Sequence, residues 1–228
     1  MTLKWMAFLG VVLLASHVGA EETIALKTQK DKVSYGVGVS VVRNFKHQGV
    51  EVDPDVAIQG MRDEFSGKKL LMSEEELRTI LNEYQKELQQ KYALAVKKAA
   101  DANKKEGEAF LAENKKKNGV VSLPSGLQYK IIKEGNGKKP AETDTVECRY
   151  RGTFINGTEF DSTNRTGQPA TFKVAGIIPG WREALKLMPV GSKWQLFIPP
   201  QLAYGERGAG PIGPNTTLIF ELELLAIK

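Results

Sequence analysis

The sequence is poor in reactive side chains. It holds one cysteine, Cys148, and two histidines, His17 and His47. A single thiol cannot close an internal disulfide, so stability must come from packing. One histidine and one cysteine, far apart in the chain, are a poor ligand set for zinc. They also leave little for a Ser-His-Asp or Cys-His nucleophile. Any catalysis is therefore expected to proceed without a metal, a thiolate or a histidine base. Cys148 alternates with Val146 and Tyr150, the pattern of a buried strand residue rather than a reactive one. Charge of one sign is not concentrated either. The formal net charge is +5, and the basic residues are mixed with acids along helical stretches without interleaved aromatics. That pattern does not mark a nucleic-acid binder.

Long apolar runs are confined to the N-terminus. Lys4 precedes an uncharged apolar stretch from Trp5 to Val18, and Val18-Gly19-Ala20 supplies small residues at cutting positions. Residues 1–20 read as a cleaved secretory signal, too short for a comfortable membrane span. An uncleaved anchor helix is the alternative. No cysteine follows, so a bacterial lipoprotein anchor is not indicated.

Helix periodicity dominates up to about residue 118. Val33, Val37, Val41 and Phe45 recur four apart and predict a helix over 31–48, weakened as an isolated helix by Gly36 and Gly38. Asp53 as N-cap with Pro54 behind it predicts a second helix to about Ser66, ended by Gly67. Ser73-Glu74-Glu75-Glu76 is a capping box opening a third, running to about Lys117. Its stripe is Leu77, Leu81, Tyr84, Leu88, Tyr92, Ala95 and Ala99. Because the apolar side chains shrink along it, the first half is expected to be buried. The lysine-rich second half, with Gly107, Asn114 and Asn118, reads as an exposed connecting rod. Two short helices and half of a long one are a meagre core, and oligomerisation is the usual remedy. Residues 23–100 are therefore expected to join two chains, with an intramolecular three-helix bundle as the alternative. The resulting division is a signal over 1–20, a dimerisation region over 21–72, a connecting helix over 73–118 and a separate C-terminal domain over 119–228.

From Ser122-Leu123-Pro124-Ser125-Gly126 onward alternation replaces the helix period. Leu127, Tyr129 and Ile131 form one alternating set, and Val146, Cys148 and Tyr150 another. Asn156-Gly157 is a hairpin signal between 153–155 and 158–160. Ala170 to Val174, then Trp194, Leu196 and Ile198, continue the pattern. The cleanest strand has Leu218, Phe220, Leu222 and Leu224 on one side and Glu221 and Glu223 on the other. One short helix is expected from Arg182 to Met188, ended by Pro189, with Trp181 directly before it. The fold class is α+β: a helical N-terminal region, then a curved antiparallel half-barrel around a short helix. Gly208-Ala209-Gly210-Pro211-Ile212-Gly213 matches G-x-G-x-x-G only formally. Pro214 and a strand follow, where dinucleotide binding needs a helix N-terminus.

Tyr150, Phe160, Asp161, Ile177, Ile178, Trp181, Tyr204, Ile212 and Phe220 stand in the patterns Tyr-Arg-Gly, Glu-Phe-Asp-Ser, Ile-Ile-Pro-Gly-Trp, Leu-Ala-Tyr-Gly and Leu-Ile-Phe-Glu-Leu. Residues 122–228 thereby resemble an FKBP-type peptidyl-prolyl isomerase domain. With its helical N-terminal half, the whole mature chain resembles the macrophage infectivity potentiator (Mip) branch of that family. The resemblance implies that Tyr150, Phe160, Trp181 and Phe220 line a proline pocket with Trp181 as its floor. Ile177 and Ile212 would add to the pocket, Ile178 would offer its backbone N–H, and the Tyr204 hydroxyl would bond a substrate carbonyl. Asp161 would bond Tyr150 or a bound carbonyl. No cofactor is implied. The implied partners are proline-containing polypeptides, a second copy of the chain and FKBP-type macrolide inhibitors. Exported proteins would be the substrates, in the periplasm or at the outer membrane or cell surface. Two departures, Ala170 where many single-domain members carry phenylalanine and a slightly short loop over 205–213, bear on substrate preference. The alternatives are a holding chaperone or a surface interaction protein whose isomerase activity is secondary.

Overall fold

The computed structural model describes residues 25–228, and the expected leader lies outside them. The chain divides after Ser73 into two units. The first holds α1 (Gln29–Gln48) and α2 (Pro54–Ser66). Thr28 caps α1 in a reciprocal box with Asp31, a start two residues earlier than the apolar period suggests. Asp53 caps α2, its Oδ1 accepting from the Asp55 and Val56 N–H groups at 2.9 and 3.1 Å. No residue of α1 is buried, and of α2 only Asp63 is. Most apolar side chains of the two helices lie open in the single chain, with Phe65 92% exposed, while Val39, Val41 and Phe45 are half-buried.

The second unit begins with α3 (Glu74–Asn114), 41 unbroken residues or roughly 60 Å. Its first half leaves Ile80, Leu81 and Tyr92 exposed. Its second half is exposed over most of its surface, but one face of it is docked. Gly107 and Asn114 are the buried residues of the helix. Phe110 packs on Phe197 at 5.9 Å. The Asn114 carboxamide donates to Gln128 Oε1 at 3.0 Å, and Gln128 Nε2 donates to the Leu111 carbonyl at 2.9 Å. The stripe of α3 runs on through 103, 107, 110, 111 and 114. Asn103, Gly107 and Asn114 in that stripe are small or polar, which is why it looks solvated in the sequence.

Seven strands follow: β1 (Val120–Ser122), β2 (Gln128–Lys133), β3 (Thr145–Phe154), β4 (Glu159–Ser162), β5 (Ala170–Lys173), β6 (Lys193–Ile198) and β7 (Leu218–Ile227). All pair antiparallel in the order β1-β2-β6-β7-β3-β4, and β5 pairs β3 as well. The outer edge of β3 is shared: β5 takes residues 145–148 and β4 takes 151–153. The short helix α4 (Pro179–Leu185) packs on the sheet. It starts three residues earlier than expected. Pro179, whose ring fixes a helical φ and whose missing N–H is not needed at a first turn, opens it. Trp181 therefore sits inside the first turn rather than before it. Helical bonding still reaches the Met188 N–H, which donates to the Ala184 carbonyl at 3.0 Å. Trp181, Ala184, Leu185 and Met188 form the inner face, at most 4% exposed. They meet Leu196, Ile198, Leu218, Phe220, Leu222 and Leu224 from β6 and β7. Cys148 lies in the same core with its thiol pushed up to about 12, by burial first and the Glu147 charge second.

Candidate active site

The site forms where α4, β3, β4 and β7 converge. Trp181 and Phe220 are each 4% exposed and meet edge to face, ring centres 5.2 Å apart at 85°. Tyr150 meets Trp181 at 5.2 Å and Phe220 at 6.4 Å. Phe160 closes the other side, 5.5 Å from Phe220 at 88°. These edge-to-face contacts hold the rings upright and apart, so they make walls rather than a stack. Trp181 Nε1–H is buried with no acceptor among the described residues. The cup floor is thus poor in polar partners.

Two further rings belong to the cluster. Phe172 of β5 lies 5.5 Å from Trp181 and 5.9 Å from Tyr150, and Phe154 lies 5.1 Å from Phe160. Neither is prominent in the sequence, where each reads as an ordinary strand residue. Ala170, two residues before Phe172 on the same strand, is half-buried. Gly152 is as important as the rings. A β-carbon there would lie 2.6 Å from Phe160 Cζ and 2.8 Å from Phe220 Cε1. Only a residue without a side chain lets both rings close over β3.

The polar rim is built on β4. The Tyr150 hydroxyl donates to Asp161 Oδ2 at 2.6 Å, and the Ser162 N–H donates to Asp161 Oδ1 at 2.9 Å. Arg165 pairs with Asp161 Oδ1 from the following turn. Burial pulls the Asp161 carboxyl up, but the bonds from Tyr150, Arg165 and Ser162 outweigh it and hold it below the usual carboxylate range. Burial, and then the bond to Asp161 and its charge, push the Tyr150 phenol far above its ordinary value. Tyr204 is 38% exposed, and burial together with the Asp161 charge pushes its phenol up too. Tyr204 makes no ring contact with the cup among the described residues.

Tyr150 is fixed by a residue the sequence does not advertise. It lies where β3 passes from β5 to β4 and has no strand partner on that edge. The Thr163 hydroxyl fills the gap, accepting the Tyr150 N–H and donating to the Tyr150 carbonyl, both at 3.1 Å. Ile177 and Ile178 are half-buried against the core, and Ile212 is 7% exposed within it. Ile178 is the N-cap of α4. Its carbonyl accepts from Trp181 and Arg182, while its N–H donates to no group among the described residues. The loop over 205–213 is a tight turn with no helix behind it, closed by paired bonds of 2.9 Å between Ala209 and Ile212.

Comparison with known proteins agrees with this architecture. Residues 30–131 match the domain amino-terminal to FKBP-type peptidyl-prolyl isomerase. Residues 136–225 match the FKBP-type peptidyl-prolyl cis-trans isomerase domain itself. The chain is 49% identical to the outer membrane protein MIP of Legionella longbeachae, over 100% of this chain and 98% of that one. The chain belongs to the Mip branch of the FKBP-type peptidyl-prolyl cis/trans isomerases. The peptidyl-prolyl cis-trans isomerase Mip of Coxiella burnetii is 43% identical over 97% of this chain and 96% of its own. The crystal structure of FkpA from Escherichia coli superposes with a TM-score of 0.69 at 35% identity, covering 90% of this chain and 99% of that one. As an FKBP-type isomerase the chain acts on the X–Pro amide, and the ring cup is where its fold gathers apolar walls beside hydrogen-bonding groups.

Proposed function

We propose that the cup of Tyr150, Phe160, Trp181 and Phe220 takes the proline ring of an X–Pro segment and lowers the rotation barrier without covalent chemistry. The observation that carries this reading is the contact of Trp181 with Phe220 and Tyr150, rings from three elements meeting at a buried floor. Rotation about an amide opposes a barrier of about 18–20 kcal/mol, because the C–N bond must lose its double-bond character. The twisted amide is less dipolar than the planar one. Water stabilises the planar form better, so a dry apolar cup favours the twisted form by difference. In this reading the Ile178 N–H and the Tyr204 hydroxyl hold the flanking carbonyls. Asp161 keeps the Tyr150 hydroxyl turned to the rim. Ile177 and Ile212 complete the apolar wall. FKBP-type macrolides occupy the same cup. A protein whose refolding waits on proline should refold faster with catalytic amounts of the full-length chain, and an unchanged slow phase would contradict the proposal.

The chain acts as a homodimer on exported proteins. Val33, Val37, Phe65 and Leu81, all more than half exposed in the single chain, support a partner over residues 23–100. Sedimentation equilibrium of the mature chain is expected to give twice the monomer mass, and a monomer at micromolar concentration would contradict it. Export rests on the leader-like N-terminus and on a relative named an outer membrane protein. No described helix is long and apolar enough to cross a membrane. Digestion of intact cells by an added protease separates the two places: cleavage indicates the surface, protection the periplasm. The exposed apolar arms favour a second reading, in which they hold unfolded clients and isomerisation is secondary.

A further inference from the structure

We infer that the last turns of α3 tune which X–Pro segments the isomerase accepts, by holding the loop that bears Tyr204 and Ile212, with Asn103 as the positioning residue. This rests on the reading of the ring cup as the proline site.

The contact is specific rather than a general packing of helix on sheet. Asn103 Nδ2 donates to the Pro214 carbonyl at 2.8 Å and to Thr216 Oγ1 at 3.3 Å. The Thr216 hydroxyl donates in turn to the Gly213 carbonyl at 2.8 Å, directly after Ile212. On the loop's other arm the Asn215 N–H donates to the Gly205 carbonyl at 2.8 Å, directly after Tyr204. One carboxamide on α3 thus ties down the segment 214–216, which follows Ile212 and is bonded back to Gly205 beside Tyr204. One turn further, Gly107 crosses Thr217. A β-carbon on Gly107 would lie 2.3 Å from Thr217 Oγ1 and 3.2 Å from Thr217 Cβ. Thr217 is 1% exposed, and its hydroxyl has no bonding partner among the described residues. The next residue opens β7, two positions before Phe220. Close approach at Gly107 therefore fixes where the loop ends and the pocket-bearing strand begins.

A loop held at its carbonyls by one helix moves when that helix is displaced. Ile212 and Tyr204, on the loop, would shift against the cup more than Phe220, held by its pairing within β7, and Trp181, held in α4. Displacing the helix should therefore alter how the residue before proline fits more than it alters the cup itself.

The test uses the full-length chain and a series of peptides with alanine, leucine or glutamate before proline. Asn103→Asp keeps the size but sets an oxygen against the Pro214 carbonyl. Gly107→Ala pushes a methyl onto Thr217 Oγ1. Each is expected to change the leucine-to-alanine ratio of kcat/KM by about threefold or more, below the roughly ten- to 200-fold that one methylene contributes in direct pocket contact, because the effect is indirect. Thr217→Ala added to Gly107→Ala removes the clashing oxygen and should return the ratio toward wild type, as expected for residues in direct contact. A loss of folding stability alone would lower all three peptides together. Phe160→Ala, run alongside, separates the two ways of failing. If Phe160→Ala keeps full turnover, the pocket reading falls and this inference with it. If Phe160→Ala loses turnover while the ratio is unchanged in Asn103→Asp and Gly107→Ala, the inference alone is overturned.

Discussion

Gly152→Ala should cost the enzyme most of its activity while leaving a folded protein. The added methyl would stand 2.6 Å from Phe160 Cζ, 2.8 Å from Phe160 Cε2 and 2.8 Å from Phe220 Cε1. Atoms cannot remain so close, so both rings must move outward. The backbone has little room to yield, because Gly152 is paired with Asp161 on one side and Phe220 on the other. Overpacking of this kind costs about 1–3 kcal/mol of stability. The catalytic cost is larger, because ring walls displaced by about 1 Å no longer match the twisted amide, and misplacements of that size cost up to about a hundredfold. The expected result is a fall in kcat/KM of about ten- to a hundredfold in a protease-coupled peptide assay, with a cooperative thermal transition retained. Activity within twofold of wild type would show that Phe160 and Phe220 do not shape the reacting site.

Phe160→Ala is expected to lower peptide turnover about as far, by the opposite change. The ring is half-buried and touches Phe154 at 5.1 Å and Phe220 at 5.5 Å. Its removal opens one wall of the cup to water and weakens the difference in solvation between twisted and planar amide. Full burial of phenylalanine makes its loss cost about 3–5 kcal/mol, and partial burial should bring the cost below that range. A drop in kcat/KM of about tenfold or more with a modest fall in Tm is therefore the expected pattern. The same variant separates the two functional readings. Slower proline-limited refolding with unchanged suppression of aggregation would place the holding capacity on the helical arms. Equal loss of both would place it in the cup.

Burial at the candidate site is legible in the sequence where one residue type serves one purpose. Phe220 stands in the cleanest alternation of the chain, and Trp181 beside a turn-forming proline. Both patterns declare burial, while the roles of the two residues come from the family resemblance. The caps of α2 were equally plain, because aspartate, proline and glycine have local physical reasons for their places. The hidden features depend on what lies across the fold. Phe172 joins the cup only because β5 pairs with the part of β3 just before Tyr150. Thr163 matters only because β3 lacks a partner at Tyr150. The docked end of α3 reads as a solvated rod because glycine and asparagine usually mark bends and exposed ends. Here Gly107 permits a close crossing, and Asn103 and Asn114 make long-range hydrogen bonds. Strand β1 was missed for a similar reason: three residues are too few to show a period, and they become a strand only by pairing with β2.

The cup is proposed to work by excluding water and holding rings and carbonyls in place, with no proton moved in the transition state. Its titrating groups set the pH window. The depressed pKa of Asp161 keeps it charged, so its contribution is fully present above the unfolded carboxylate value and is lost as pH falls through its lowered folded value. The raised pKa of Tyr150 keeps it neutral, so its contribution is complete below the unfolded phenol value near 10 and is lost only as pH rises past its folded value. The most direct test is kcat/KM of the full-length chain on an X–Pro peptide, read by NMR exchange without a coupling protease, from about pH 5 to pH 9 in water and in D2O. A level profile and a solvent isotope effect close to one are expected. A bell-shaped profile with a slowing of about twofold or more in D2O would mean that a general acid or base drives the reaction, and would contradict it.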